Sequence, residues 1–157
     1  MNRGDYYLES PYQAFETLRT YQVGRLRSIE YNPDRVQISI SRSTETWFHA
    51  NGNRVQLDVG SPKDIAYIKI CLALQELYGD MAWNSEKRRA FDLKWVGVPD
   101  PNSDTGDAIV LETKEIAKLL GRSIRTINWW VDQMLEDFTD ILKFRGVLNP
   151  DFTFLGG

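Results

Sequence analysis

The sequence predicts an α+β protein: an N-terminal helix, a three-stranded antiparallel meander and a buried central helix form the body, followed by a helix-turn-helix. Three observations predict this class. Apolar and polar residues alternate between residues 35 and 60, a largely apolar helical segment occupies 62–82, and two helical patterns meet at Gly121. With 42% hydrophobic and 26% charged residues, the chain of 157 residues has the composition of a globular protein that can bury a core.

The first predicted element is an amphipathic helix near the N-terminus. Ser10 is a candidate N-cap, and Pro11 fits the first helical position because the backbone N–H that proline lacks is not used there. Gly24 is expected to end or bend the helix. Its apolar residues recur at helical spacing: Ala14, Phe15 and Leu18.

The meander is predicted from alternation and from one turn signal. "RVQISIS" alternates apolar and polar residues, and two further strand-like runs flank Asn51-Gly52. An Asn-Gly pair between such runs favours a hairpin, because both residues tolerate positive φ. One face of the sheet is then expected to carry Val36, Ile38, Ile40, Val55, Leu57 and Val59.

The central helix follows the order of a capped helix start, with Ser61 before Pro62. Its apolar residues form two stripes, so the helix is apolar nearly all round. Such a helix is buried in a core or at a subunit interface. The members of the stripes are Ile65, Ile68 and Leu72, and Tyr67, Cys71, Leu74, Tyr78 and Met81.

The composition argues against several classes of function. Cys71 and His49 are the single cysteine and the single histidine, so neither an internal disulfide nor a Cys/His zinc site can form. No catalytic residue and no cofactor are expected. No apolar run approaches the ~20 residues of a membrane-spanning helix, and the N-terminus shows no signal-peptide pattern, so a cytoplasmic protein is expected.

The most informative stretch is "KEIAKLLGRSIRTINWW", residues 114–130. Thr113 is the predicted cap of a first helix, Gly121 takes the turn, and Ser123 is the predicted cap of a second helix. Ala117 is small enough to let the helices cross closely. The residues expected to hold the crossing are Ile116, Leu120, Ile127 and Trp130. This spacing is typical of a helix-turn-helix.

The segment "IAKLLGRSIRTINWW" resembles the DNA-binding motif of bacterial regulators, and most closely that of the MerR family, which typically reads like "AKLLGVSxRTLRYY". Members of that family are dimeric winged-helix transcription regulators. The resemblance implies DNA binding by the helix that starts near Ser123. The residues that carry it are Ala117, Leu120, Gly121, Ser123, Arg125, Thr126, Trp129 and Trp130.

The predicted DNA contacts follow from side-chain chemistry. Arg125 and Asn128 are the candidates for base reading, because arginine pairs with guanine and asparagine with adenine in the major groove. Trp129 either packs on the first helix or lies against the sugar-phosphate backbone. Lys143 and Arg145, beside Gly146, are candidates for a short basic wing. The remaining candidates for backbone contacts are Lys114, Lys118, Arg122, Ser123 and Thr126.

The net charge of −3 argues against non-specific coating of nucleic acid but leaves a specific binder open. Asp132, Glu136, Asp137 and Asp140 fall after the candidate contacts, so a helix that enters the groove by its N-terminus holds them away from phosphate. The predicted division is an N-terminal region, 1–98, for dimerisation or sensing, and a DNA-binding region, 107–157. The expected protein is a homodimeric transcriptional regulator of double-stranded DNA targets, more simply a repressor than an activator.

Two other functions remain open from the sequence. An adaptor or assembly protein of a phage or mobile element would use the same helices for protein contacts. A metal-dependent nuclease of the PD-(D/E)xK kind is suggested by Asp100 and by Glu112 and Lys114 after a strand-like run. That nuclease site requires Lys114 to lie on a strand, whereas the helix-turn-helix requires it to lie in a helix.

Overall fold

The computed structural model describes residues 6–24, 36–40, 46–50, 53–57, 62–82, 85–99 and 108–154. Its five α-helices are α1 (Pro11–Gly24), α2 (Pro62–Tyr78), α3 (Glu86–Phe91), α4 (Thr113–Leu120) and α5 (Ile124–Phe144). A π-helical segment, Asp92–Val96, continues α3. The helix starts predicted at Pro11 and Pro62 are confirmed. None of the helices in these ranges is both long and apolar enough to cross a membrane.

The strands fall into two sheets. β1 (Val36–Ile40), β2 (Thr46–Ala50) and β3 (Asn53–Leu57) pair antiparallel in the order β1-β2-β3. Ile38 lies opposite Phe48, which in turn lies opposite Val55. β4 (Val98–Pro99) and β5 (Ala108–Ile109) form a short antiparallel pair. The predicted Asn51-Gly52 turn and the predicted apolar face of the meander lie outside the described residues and side chains.

The predicted α+β class is wrong for the packed body of the molecule, which is helical. Where the structure describes side chains, about 70% of the residues lie in five helices. In the described part of the chain these helices pack mainly on one another, and β1, β2 and β3 pair with one another in a sheet of their own. The prediction failed because the described core is built by helices that bury their apolar faces against one another.

The larger core cluster joins α1, α2, the α3 region and the second half of α5. Phe15 of α1 packs on Phe138 of α5 with ring centroids 5.3 Å apart, and on Phe91 of α3 at 5.8 Å. The stripe of α2 that contains Tyr67 and Leu74 is buried in this cluster. The opposite stripe of α2 is more open, and Ile65 is 36% exposed.

A buried charge joins α2 to α3. Arg88 is 2% exposed, and its guanidinium carbon lies 4.0 Å from the centre of the Tyr78 ring. The Tyr78 hydroxyl donates to Asp92 Oδ1, and Arg88 Nε lies 4.0 Å from Asp92 Oδ2. A buried arginine is tolerated where an aromatic face and a carboxylate surround it. This group therefore links the central helix to the helix that supports α4 and α5.

Candidate nucleic-acid interface

The turn between α4 and α5 depends on a left-handed glycine. Gly121 has φ 66° and ψ 35°, and its N–H bonds to the Ala117 carbonyl oxygen. The N–H of Arg122 donates to the same oxygen at 3.0 Å. Residues with a Cβ pay a steric cost in this region of backbone space, so glycine is the favoured residue here. The turn predicted at Gly121 is confirmed.

The beginning of α4 differs from the prediction by one residue. Glu112, not Thr113, is the N-cap, and it forms a reciprocal capping box with Glu115. The Glu112 N–H donates to Glu115 Oε1 at 3.2 Å. Thr113 is the first helical residue, and its hydroxyl accepts from Lys94 Nζ at 3.0 Å. A glutamate pair thus satisfies the backbone donors that the prediction assigned to a threonine.

Lys114 lies in the first turn of α4. In the predicted nuclease site, the lysine extends from the same strand as the carboxylate. Because Lys114 lies in a helix, that site is not formed. Asp100 lies outside the described residues. Within the described ranges, no group of three or more histidine, cysteine or acidic residues is placed to hold a metal ion.

α5 begins as predicted. Ser123 is its N-cap, with extended backbone at φ −70° and ψ 153°, and its hydroxyl accepts from the Thr126 N–H at 3.1 Å. The Ser123 hydroxyl also lies 2.9 Å from the Thr126 hydroxyl. Both hydroxyls therefore form hydrogen bonds that stabilise the start of the helix. Their contact with phosphate stays a prediction.

A small core cluster fixes the angle between α4 and α5. Ile116 and Ile127 are fully buried, and Ala117 is 5% exposed. Ala90 of α3 and Leu93 of the π-helical segment pack in the same cluster, and Val131 extends it along α5. Leu120 and Trp130 are partly buried against it. The first helix of this three-helix unit is therefore α3 with its π-helical continuation.

The outward side of α5 is open over its first two turns. Arg125 and Asn128 are exposed, and neither is held by an ion pair or side-chain hydrogen bond to another described residue. Ile124 is 52% exposed and Trp129 is 62% exposed. Two positions were predicted for the Trp129 ring, one packed on the first helix and one against the sugar-phosphate backbone. Burial of the ring against α4 is not observed. Two polar side chains with base-reading chemistry thus lie on an accessible helix surface.

The cations predicted to contact the DNA backbone differ from one another in whether they have a partner in the protein. Lys114 and Lys118 are exposed on α4. Arg122 is exposed too, but its Nε donates to Glu86 Oε2 of α3 at 2.7 Å. The hydrogen bond and the charge of Glu86 raise the pKa of Arg122, so its guanidinium stays charged at any practical pH. Arg122 is therefore available to phosphate only in competition with Glu86.

The wing predicted at Lys143 and Arg145 is wrong. α5 continues to Phe144, and the described residues that follow it, 145–154, form no hairpin. Lys143 Nζ donates to the Phe152 carbonyl oxygen at 2.6 Å, and Arg145 pairs with Glu76 of α2 at 3.3 Å. At 1.5 Å per residue, Lys143 lies about 30 Å along the helix from Ser123. Both cations belong to the far end of the helical body.

Sequence reasoning missed the part that α3 plays at this surface. Lys87 Nζ lies 2.7 Å from Gln133 Oε1 and 6.0 Å from the centre of the Trp129 ring. Lys87 therefore adds a positive charge beside the open side of α5. The run "EKRRAF" is basic enough to have raised the question, but only the packing of α3 on α5 shows where it lies.

Comparison with known proteins found no family model, no curated protein and no solved structure that matches this chain.

Proposed function

We propose that this protein binds double-stranded DNA with sequence preference through the first two turns of α5. The observation that carries the proposal is the exposure of Arg125 and Asn128 on a helix whose start is fixed by Gly121 and Ser123. An α-helix fits the major groove, where arginine and asparagine can each form bidentate bonds to a base. A packed helix holds the backbone of these residues in place before binding, so that only their side chains have to be ordered.

The distribution of charge along α5 supports entry by its N-terminal end. Arg125 lies in the first turn, whereas the acidic residues Asp132, Glu136, Asp137 and Asp140 are exposed farther along. Outside α5, Lys118 is exposed in the last turn of α4, and Lys87 of α3 lies beside Trp129. Phosphates that flank the groove would thus meet positive charge at the turn and not the acidic stretch.

We infer that the protein acts as a homodimer in transcriptional control, in the cytoplasm where it meets the chromosome, and that it represses by occupying its site. One helix end reads few base pairs, and two-fold pairing doubles the target. Sedimentation equilibrium tests the dimer: a species of twice the 18.2 kDa chain mass is expected. The selected DNA sites should then be palindromic.

Selection of bound sequences from random duplex tests the proposed function. The selected site is then titrated with the wild type, with Arg125→Ala/Asn128→Ala, and with Lys143→Ala as a control that removes a cation at the far end of α5. We expect the double variant to lose its preference for the selected site over random duplex, at a cost of about 1–3 kcal/mol for each base contact. Lys143→Ala should bind like the wild type. Equal preference in all three proteins would reject the assignment.

An adaptor that uses these helices for protein contacts is the second candidate, and the exposure of Phe144 favours it. This side chain is 87% exposed on the last residue of α5, at the end opposite the turn. Binding of the wild type to every duplex with equal affinity, together with self-association or partner binding lost in Phe144→Ser, would favour the adaptor.

A further inference from the structure

The first residue of α5, Ile124, presents a large apolar side chain beside the base-reading residues. It is 52% exposed, although 25 hydrophobic residues of the described chain are buried. Trp129, five residues farther along α5, is 62% exposed. A large apolar side chain that is exposed in the free protein gains free energy when a binding partner covers it. Contact of Ile124 with an apolar partner would therefore favour binding.

The position of Ile124 on the helix limits what that partner is. Ile124 and Asn128 are four residues apart, so their side chains lie on the same face, with Cβ atoms about 6 Å apart. When Asn128 contacts the edge of a base, Ile124 therefore lies beside the same base pair or the next one. Isoleucine is branched at Cβ and its first torsion is restricted in a helix, so its methyl groups are held in place.

The major groove offers one apolar feature on its base edges, the 5-methyl group of thymine. Guanine, cytosine and adenine show only hydrogen-bond donors and acceptors there, which an aliphatic side chain can only desolvate. We propose that Ile124 reads thymine through this methyl group, beside an adenine read by Asn128. The inference rests on the proposed function and adds that the preferred site contains an A·T pair under the first turn of α5.

Replacing thymine by deoxyuracil tests this contact, because the change removes the methyl group and leaves base pairing intact. The full chain is first used to select a preferred duplex. Each thymine of that duplex is then replaced singly by deoxyuracil, and affinities are measured by fluorescence anisotropy. The proteins compared are the wild type, Ile124→Ala, and Leu119→Ala, which shortens an exposed aliphatic residue of α4. Circular dichroism melts establish that each variant is folded.

One deoxyuracil position is expected to weaken wild-type binding about fourfold, the effect of one buried methyl group. Ile124→Ala should be insensitive to that same replacement, whereas Leu119→Ala should keep the wild-type response. A preferred site at which the wild type tolerates every deoxyuracil, or at which Ile124→Ala keeps the full response, would overturn the thymine contact and leave the proposed function standing. Selection that yields no preferred sequence would overturn both.

Discussion

Arg122 Nε donates to Glu86 Oε2 at 2.7 Å, so the turn before α5 is tied to the first residue of α3. The pair holds the three helices of the unit at their outer edge. The ion pair also engages Arg122, the last cation before the start of α5. Under the proposed function, DNA phosphate would compete with the Glu86 carboxylate for this guanidinium.

Glu86→Gln is expected to strengthen DNA binding by about two- to fivefold, because an exposed ion pair no longer competes with phosphate. The salt dependence should steepen by about 0.9 in the slope of log affinity against log salt, the value for one added phosphate contact. Titration at several salt concentrations measures both. Glu136→Gln makes the same chemical change at an exposed site farther along α5. If both variants gain equally, the effect is one of net charge and the competition at Arg122 is disproved.

Gly121→Ala should destabilise the protein by about 1–2 kcal/mol, the cost of holding a residue with a Cβ in the left-handed region. A Cβ at this position would meet no atom within 4 Å, so the loss comes from the backbone and not from a clash. Urea unfolding followed by circular dichroism measures it. Gly121→Asn should cost less, because asparagine tolerates this conformation. An alanine variant as stable as the wild type would show that the turn does not need φ 66°.

Two phenylalanines on α5 provide a matched test of the helical core. Phe138 is fully buried between Phe15 and Phe91, whereas Phe144 is 87% exposed. Phe138→Ala should lower the free energy of unfolding by about 3–5 kcal/mol through lost burial and a cavity. Phe144→Ala should change it by less than about 0.5 kcal/mol, as is usual for surface sites. Similar losses in both would mean that Phe144 is covered in solution, as a dimer contact would require.

Arg88 and Arg89 are neighbours in sequence, but Arg88 is buried and Arg89 is exposed. Arg88→Leu leaves Asp92, whose side chain is 23% exposed, without the cation at 4.0 Å. We expect a loss of about 2–3 kcal/mol, below the ~3–5 kcal/mol of a fully buried pair because water reaches Asp92. Arg89 is exposed, and Arg89→Leu should be nearly neutral. Thermal melts of the two variants decide the matter, and a neutral Arg88→Leu would contradict a structural role for the buried guanidinium.

The features that the sequence predicted well depend on local chemistry. Pro11 and Pro62 mark helix starts, and Gly121 and Ser123 mark the turn, because proline, glycine and a capping serine restrict the backbone wherever they occur. Exposure of Arg125 and Asn128 then follows from the helical period.

The features that were missed depend on partners distant in sequence. The run after Ser85 is short and basic, and only contacts with α1 and α5 show that Phe91 is a core residue. Lys143 and Arg145 resembled a wing because Gly146 follows them, but Phe138 and Leu142 continue the apolar stripe of α5 to its end. The α+β class failed for the same reason, since alternation predicts strands without showing what they pack against.

Val131 belongs to the small core cluster and Met134 to the large one, although they are less than one turn apart on α5. A fragment that ended between these two residues would expose the apolar side chains of half of α5 to solvent. The proposed DNA-reading end therefore cannot be transplanted by itself into a chimeric regulator, and the smallest portable module has to include all five helices.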